Sequence, residues 1–213
     1  MIVVFINLKG GCAKSTSAVH LSRWLLNKNQ SVALVDTDPL STSSIWVKNL
    51  EQGIPQPQVF QLTNPQALSQ ELVKLGEQFN AVVVDGASGS TEIQQATLQV
   101  AHLGLIPAQP SILDLAATDQ TLQTIRQTQG QRQSELKAFT FLVRVTPKSV
   151  LLEEAQEVLQ SYPDIPLLSV KIPQRQVIAD AMGQNKTLFD YQGDRNAKAM
   201  GRCYEKLFQE AGL

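Results

Sequence analysis

Cysteine is nearly missing from this chain: Cys12 and Cys203 are the only two in 213 residues. They share no CxxC spacing, so there is neither a disulfide framework nor a zinc or iron–sulfur ligand set. That excludes an electron carrier built on a cluster, and it makes a reducing cytoplasm the expected setting. Long apolar runs are missing too. The stretch from Ile2 to Ile6 is too short to span a membrane and lacks the basic flank and cleavage region of a signal peptide. Neither export nor membrane association is expected. There is no excess of positive charge, since 18 Lys and Arg face 19 Asp and Glu for a formal net charge of −1. Any nucleic-acid contact must therefore come from a local patch. Histidine is scarce as well, and His20 and His102 have no carboxylate or cysteine at useful spacing, so both read as packing or surface residues.

What is present is a foldable chain, with 43% hydrophobic and 17% charged residues, and a single domain over residues 1–213 is expected. Short β-branched runs alternate with longer amphipathic stretches. Ile2 to Ile6, Val32 to Val35, Ala81 to Val84, Leu103 to Ile106, Phe139 to Val145 and Leu167 to Val170 read as buried strands. Ser15 to Leu26, Gln66 to Phe79, Ile93 to Ala101, Asp114 to Gln129 and Leu151 to Leu159 carry apolar residues at helical spacing. The alternation predicts an α/β fold: a mostly parallel sheet with helices on both faces. Ser111 and Asp114 have the spacing of a helix capping box.

The first strand runs into Lys9, Gly10, Gly11, Cys12, Ala13, Lys14, Ser15 and Thr16, and then a helix. Glycines let backbone N–H groups curl around an anion, and the helix points its positive end at it. Lys14 supplies a point charge for phosphate and Ser15 a hydroxyl for Mg²⁺. Leu8 and Ala13 stand where the ordinary GxxxxGK[ST] pattern has glycines. The second strand delivers Asp36 and Asp38 within the string DTDPLS, and the run Ala81 to Val84 delivers Asp85. Carboxylates at the carboxyl ends of strands face the ligand crevice of an open sheet.

With Lys9 in front, the loop resembles the deviant Walker A motif KGGxGK[ST][ST] of the ParA and MinD family of P-loop ATPases. The DxDPxxS segment and the strand ending in Asp85, which resembles Walker B, extend the likeness. The string VDGA at 84–87, the segment from Ile106 to Asp114 and the segment Lys171 to Val177 resemble the small ParF-like (type Ib) ParA partition proteins in particular.

The resemblance implies ATP and Mg²⁺ as cofactors. It makes Lys9, Lys14 and Asp38 the candidate catalytic residues, with Lys9 reaching across a dimer, Lys14 acting in its own site and Asp38 orienting water. Nucleotide contacts fall to Gly10, Gly11, Cys12, Ala13, Lys14, Ser15 and Thr16, with Pro173 and Gln174 at the base. Metal contacts fall to Ser15, Asp36 and Asp85. Ala13 departs from the family glycine, and costs on the order of 1 kcal/mol if that position needs a positive φ. Near the end, Ala197, Met200, Tyr204, Leu207 and Ala211 form an apolar helical face, while Arg195, Lys198, Arg202 and Lys206 form a basic stripe. That stripe is either a nonspecific DNA contact or a solvated face with Lys206 paired to Glu210.

Function then follows the family. The expectation is an ATPase that forms an ATP-bound homodimer and binds nonspecific DNA. With a ParB-like or adaptor partner it positions a plasmid, a chromosome region or a protein organelle such as the carboxysome. It would be cytoplasmic and nucleoid-associated when ATP-bound. No N-terminal helix-turn-helix precedes the first strand, so no operator recognition is expected. A MinD-like membrane positioner calls for a terminal amphipathic segment richer in bulky apolar residues. A metabolic ATP-dependent synthetase on the same fold would have no use for Lys9.

Overall fold

Five of the strands are apolar at almost every position because helices cover both sides of them. A computed structural model describes residues 1–213. In chain order the elements are β1 (Ile2–Phe5), α1 (Lys14–Asn27), β2 (Val32–Asp36), α2 (Thr42–Lys48), β3 (Gln58–Gln61), α3 (Pro65–Gln78), β4 (Ala81–Asp85) and α4 (Thr91–Leu98). There follow β5 (Leu103–Ala108), α5 (Ile112–Gln131), β6 (Lys137–Val145), α6 (Val150–Gln160), β7 (Ile172–Pro173), α7 (Gln176–Gly183) and α8 (Arg195–Glu210). One seven-stranded sheet runs β3-β2-β4-β1-β5-β6-β7, and every pairing in it is parallel.

The period-2 alternation of the strands divides the core in two. Val3, Phe5, Leu34 and Val83 point to one side, where they pack with Trp24, Tyr204 and Phe208 from α1 and α8. Ile2, Val4, Val35, Val82 and Val84 point to the other, against Leu68, Leu72, Leu122 and Ile125 of α3 and α5. Helices therefore cover both faces, as expected from the sequence. Ser111 does cap α5, its hydroxyl accepting from Asp114 N–H, but the Asp114 carboxylate bonds to the Ser111 hydroxyl rather than returning to its backbone N–H.

Three expectations need correction. The stretch Leu167 to Val170 is not a strand; it contributes a single bridge, Leu167 to Thr140, and the edge strand is Ile172–Pro173. Between the Thr140–Leu167 bridge and the Val143–Ile172 pair, β6 runs from 140 to 143 while its partner runs from 167 to 172, so the partner bows out of the ladder over that stretch; the bulge at Arg144, with φ 53°, comes after it. Strand β3 and helices α2 and α7 were not anticipated. The fourth helix ends at Leu98 rather than Ala101.

This topology puts β1 at the centre, between β4 and β5, so that the loop after β1 opens beside the ends of its neighbours. Gly86 lets that happen. A Cβ there would lie 2.6 Å from the Phe5 carbonyl oxygen, the same oxygen that accepts the Gly86 N–H at 2.9 Å.

Candidate functional site

The loop between β1 and α1 is pinned at both ends by side-chain amides. Asn7, fully buried, donates to Pro107 O (2.9 Å) and Thr118 Oγ1 (3.0 Å), and accepts from Lys9 N–H (2.9 Å). Gln109 Nε2 donates to Gly11 O (3.1 Å). Gly11 and Ala13 take left-handed φ values of 78° and 66°, which turns successive N–H groups inward as an anion-binding nest. Helix α1 starts at Lys14 with no side-chain cap and no acidic residue in its first turn, so its N-terminal N–H groups and positive dipole end are left for an anion. The Ala13 position does need a positive φ, and the strain anticipated from the sequence is present.

Around this loop lies a cleft of about 540 Å³. Gly10, Gly11, Ala13, Lys14, Ser15 and Thr16 line it from one side, and Asp38, Pro39, Leu40, Thr42, Ser88 and Arg144 from the others. Lys14 Nζ donates to Lys9 O at 2.7 Å and to Ser88 Oγ at 3.0 Å. Ser88 also gives its N–H to Asp38 Oδ2 at 3.3 Å, so one serine ties Lys14 to Asp38. Cys12 is in the loop but not in the cleft. Its side chain is buried, its Sγ donates to Lys9 O at 3.2 Å, and burial pushes its thiol up, which fits an inert filler. Lys9 also stays out of the cleft: its backbone is engaged on both sides, while its side chain makes no hydrogen bond or ion pair.

The two buried carboxylates differ sharply. Asp36 is satisfied: Oδ1 accepts from Asp38 N–H (3.1 Å), and Oδ2 from Ser43 Oγ (2.8 Å) and Ser44 N–H (2.9 Å). It braces the start of α2. Asp85 has no hydrogen-bond partner for either carboxylate oxygen. Burial, followed by the neighbouring Asp36 charge, pushes it up to about 7. Ser15 and Ser43 stand close enough to favour its ionised form, without closing a hydrogen bond. No cluster of three His, Cys, Asp or Glu exists to cage a metal. A carboxylate held unpaired beside the Ser15 hydroxyl at a phosphate loop instead fits Mg²⁺, which keeps waters and phosphate oxygens in its shell and needs few protein ligands.

A second, smaller cavity adjoins the cleft through Ala13, Thr16 and Arg144, and is closed by Pro173, Gln174, Arg175 and Tyr204. Pro173 and Gln174 thus line a cavity that adjoins the phosphate loop. Sequence reasoning missed Ser88, Arg144 and Tyr204 as site residues, and no local pattern marks them. The basic stripe lies apart from both cavities. Arg195, Lys198, Arg202 and Lys206 are all exposed on α8. Lys206 is not paired with Glu210, whose carboxylate instead accepts the Ser169 and Val170 N–H groups.

A glycine-bearing loop at the end of a central parallel strand, feeding an uncapped helix and faced by two carboxylate-bearing strand ends, defines a P-loop nucleotide-binding fold. The chain belongs to the CobQ/CobB/MinD/ParA nucleotide-binding domain family (CbiA), which matches residues 3–188. It is 28% identical over 186 residues to maintenance of carboxysome distribution protein A of Halothiobacillus neapolitanus, covering 86% of this chain and 84% of that protein. To the protein of the same name from Gloeobacter kilaueensis it is 29% identical over 211 residues, covering 98% and 93%. Among solved structures it is similar to apo McdA of Cyanothece, with a TM-score of 0.79, 17% identity and 98% of each chain covered. It is also similar to the septum site-determining protein MinD of Pyrococcus horikoshii complexed with Mg-ADP, with a TM-score of 0.71, 19% identity and 99% and 97% covered. At these identities the solved structures establish the fold. No helix is long and apolar enough to cross a membrane.

Proposed function

We propose that this chain is a Mg²⁺-dependent ATPase of the ParA type that pairs face to face around ATP, binds nonspecific DNA and distributes a cargo with a ParB-like or adaptor partner. The observation that carries the proposal is Lys9, a cation in the phosphate loop whose side chain lies outside its own cleft. A charge so placed suits the phosphates of a second copy better than those of its own. The names of the two curated relatives favour a carboxysome-like organelle as cargo over a plasmid or chromosome region. The place of work would be the cytoplasm, on the nucleoid in the ATP state.

Within the site, Lys14 leaves Lys9 O and Ser88 Oγ to meet the β and γ phosphates, and the N–H groups of Gly10 to Thr16 hold the oxygens. Asp38, held at the cleft by the Ser88 and Leu40 N–H groups, orients the attacking water. Ser15 and Asp85 would hold Mg²⁺, with Asp36 behind Asp85 and at most a water away from the ion, because its own oxygens are already engaged. When bound there, the ion would neutralise charge on the transferred phosphoryl group. Pro173 and Gln174 receive the base. The four cations of α8 lie free for a DNA backbone, an interaction that needs no sequence.

Binding to random-sequence duplex DNA at moderate salt, with ATP, ADP or no nucleotide, tests this reading. Wild type is expected to bind only with ATP, Lys9→Ala to keep ATP yet lose dimer and DNA together, and Lys14→Ala to lose ATP. Absence of DNA binding in every state would overturn the DNA-based cycle and favour a membrane positioner or a metabolic enzyme.

A further inference from the structure

Strand β6 breaks its own alternation at Arg144. Phe141 and Val143 pack on the α1 and α8 side of the sheet, and Leu142 on the α6 side. Val145 should then return to the α1 side, yet it packs with Leu142 and Leu152 on the α6 side. The pairing with β7 gives the reason: Val143 faces Ile172 and Val145 faces Pro173, so β6 takes two steps where its partner takes one. Arg144 is the extra residue of a β-bulge, and its left-handed φ of 53° is the strained conformation that accommodates it. Gln174 N–H, bonded to Val145 O at 3.1 Å, closes the ladder again just beyond.

A bulge redirects a side chain. This one takes Arg144 out of both apolar cores and leaves it exposed, where it lines the phosphate cleft and the smaller cavity alike. Only Ala13 and Thr16, at the start of α1, share that position. The Arg144 side chain makes no hydrogen bond or ion pair, whereas Arg23 and Arg126 are each matched to an aspartate. The smaller cavity has no carboxylate in its wall, and its charged groups are Arg144 and Arg175. A permanently charged fork with nothing to neutralise it, at the junction of a phosphate loop and a cavity without acids, suits an anion. Backbone strain kept at such a place fits a side chain held for a ligand.

We propose that the Arg144 guanidinium binds the α-phosphate of the nucleotide, the one that joins the loop-bound phosphates to the nucleoside. This rests on the nucleotide reading above. It divides the cationic work of the site: Lys14, inside the loop, meets the terminal phosphates, and Arg144, from a different strand, meets the phosphate nearest the sugar. The bulge is the device that brings a β6 side chain to the loop after β1, two strands away in the sheet.

The test uses the full chain with Mg-ADP, which carries the α-phosphate without turnover, and compares wild type with Arg144→Ala and Arg144→Lys. Both replacements keep a Cβ at the left-handed position and remove no existing bond, so the melting temperature without nucleotide should match wild type. By calorimetric titration Arg144→Ala is expected to bind ADP about ten-fold more weakly, the loss of a charge-assisted pair. Arg144→Lys should recover part of that loss. The affinity of the alanine variant should also fall less steeply with salt than that of wild type, because one ionic contact is gone. Weaker binding with a lowered melting temperature overturns the proposal by making the arginine structural. A lysine variant as weak as alanine, with an unchanged salt slope, also overturns it by putting the guanidinium flat on the base. Wild type that fails to bind ADP removes the nucleotide reading itself; wild type that binds while Arg144→Ala matches it removes only this inference.

Discussion

Asp85→Asn should make the empty protein more stable while removing its metal site. The carboxyl group rises from an ordinary 3.8 to about 7, and at about 1.4 kcal/mol per pH unit this corresponds to about 4 kcal/mol. The folded protein holds this proton more tightly than the unfolded chain does. The stabilisation is therefore complete below pH 4 and drains away as the pH rises through 7. An asparagine never ionises, so at pH 8 it avoids the whole penalty. Its amide inherits the same lack of partners, which costs roughly 1–2 kcal/mol, leaving a net gain of roughly 2–3 kcal/mol. Denaturant unfolding at pH 8 and pH 5, without nucleotide and with a chelator, reads both numbers. At pH 5 wild type recovers about 3 kcal/mol relative to the variant, and the advantage of asparagine should vanish. Other titrating groups are common to both proteins and cancel in the difference. An advantage of equal size at the two pH values would show that ionisation of Asp85 is not its source; a more stable wild type at pH 8 would refute the reasoning outright. Adding Mg²⁺ and ATP should reverse the order, stabilising wild type alone.

Ala13→Gly relieves a left-handed residue with φ 66°, and after the entropy that glycine adds to the unfolded chain a gain of about 0.5 kcal/mol remains. A melting temperature about 1–2 °C higher is expected, and a lower one would contradict the strain argument. His20 is lowered from 6.5 to about 4 by burial, so its contribution is present above pH 6.5 and is lost as pH falls through 4, about 3 kcal/mol in all. Wild type should show this acid-side slope in unfolding free energy and His20→Gln should not; matching slopes would refute the assignment. For the DNA surface, each alanine among Arg195, Lys198, Arg202 and Lys206 should flatten the slope of log affinity against log salt by about 0.9 per lost phosphate contact. Four alanines that leave the slope untouched would move the interface elsewhere.

The central strands were legible because burial on both faces makes a continuous apolar word, as in AVVVD at β4. Strand β3 was not, since QVFQ at the sheet edge is half-buried and flanked by polar residues. The seven residues of α2 carry too little periodicity to announce a helix. The last strand pairs only from Ile172 because its chain bows out of the ladder after Leu167, a tertiary event with no local cue. In the site, the contiguous loop and the two aspartate stations could be read directly, because their chemistry follows from neighbours in sequence. Ser88, Arg144 and Tyr204 reach the cavities from three other elements, and Tyr204 read as one apolar position among five on a helix face. The resemblance set Asp36 a water shell away from the metal and Asp85 in its shell. Only the packing shows that the first carboxylate is hydrogen-bonded and the second unpaired.

Gly86 carries a consequence for how the chain can vary. With its would-be Cβ 2.6 Å from the Phe5 carbonyl, position 86 acts as a spacer of zero thickness between the strand that launches the phosphate loop and the strand that ends in Asp85. Any side chain there would wedge the two apart and carry Asp85 away from Ser15, since backbone cannot yield as a flexible side chain does. In a saturation scan scored by function, this position should accept a single residue, while Gly130, whose Cβ would meet nothing within 4 Å, tolerates many.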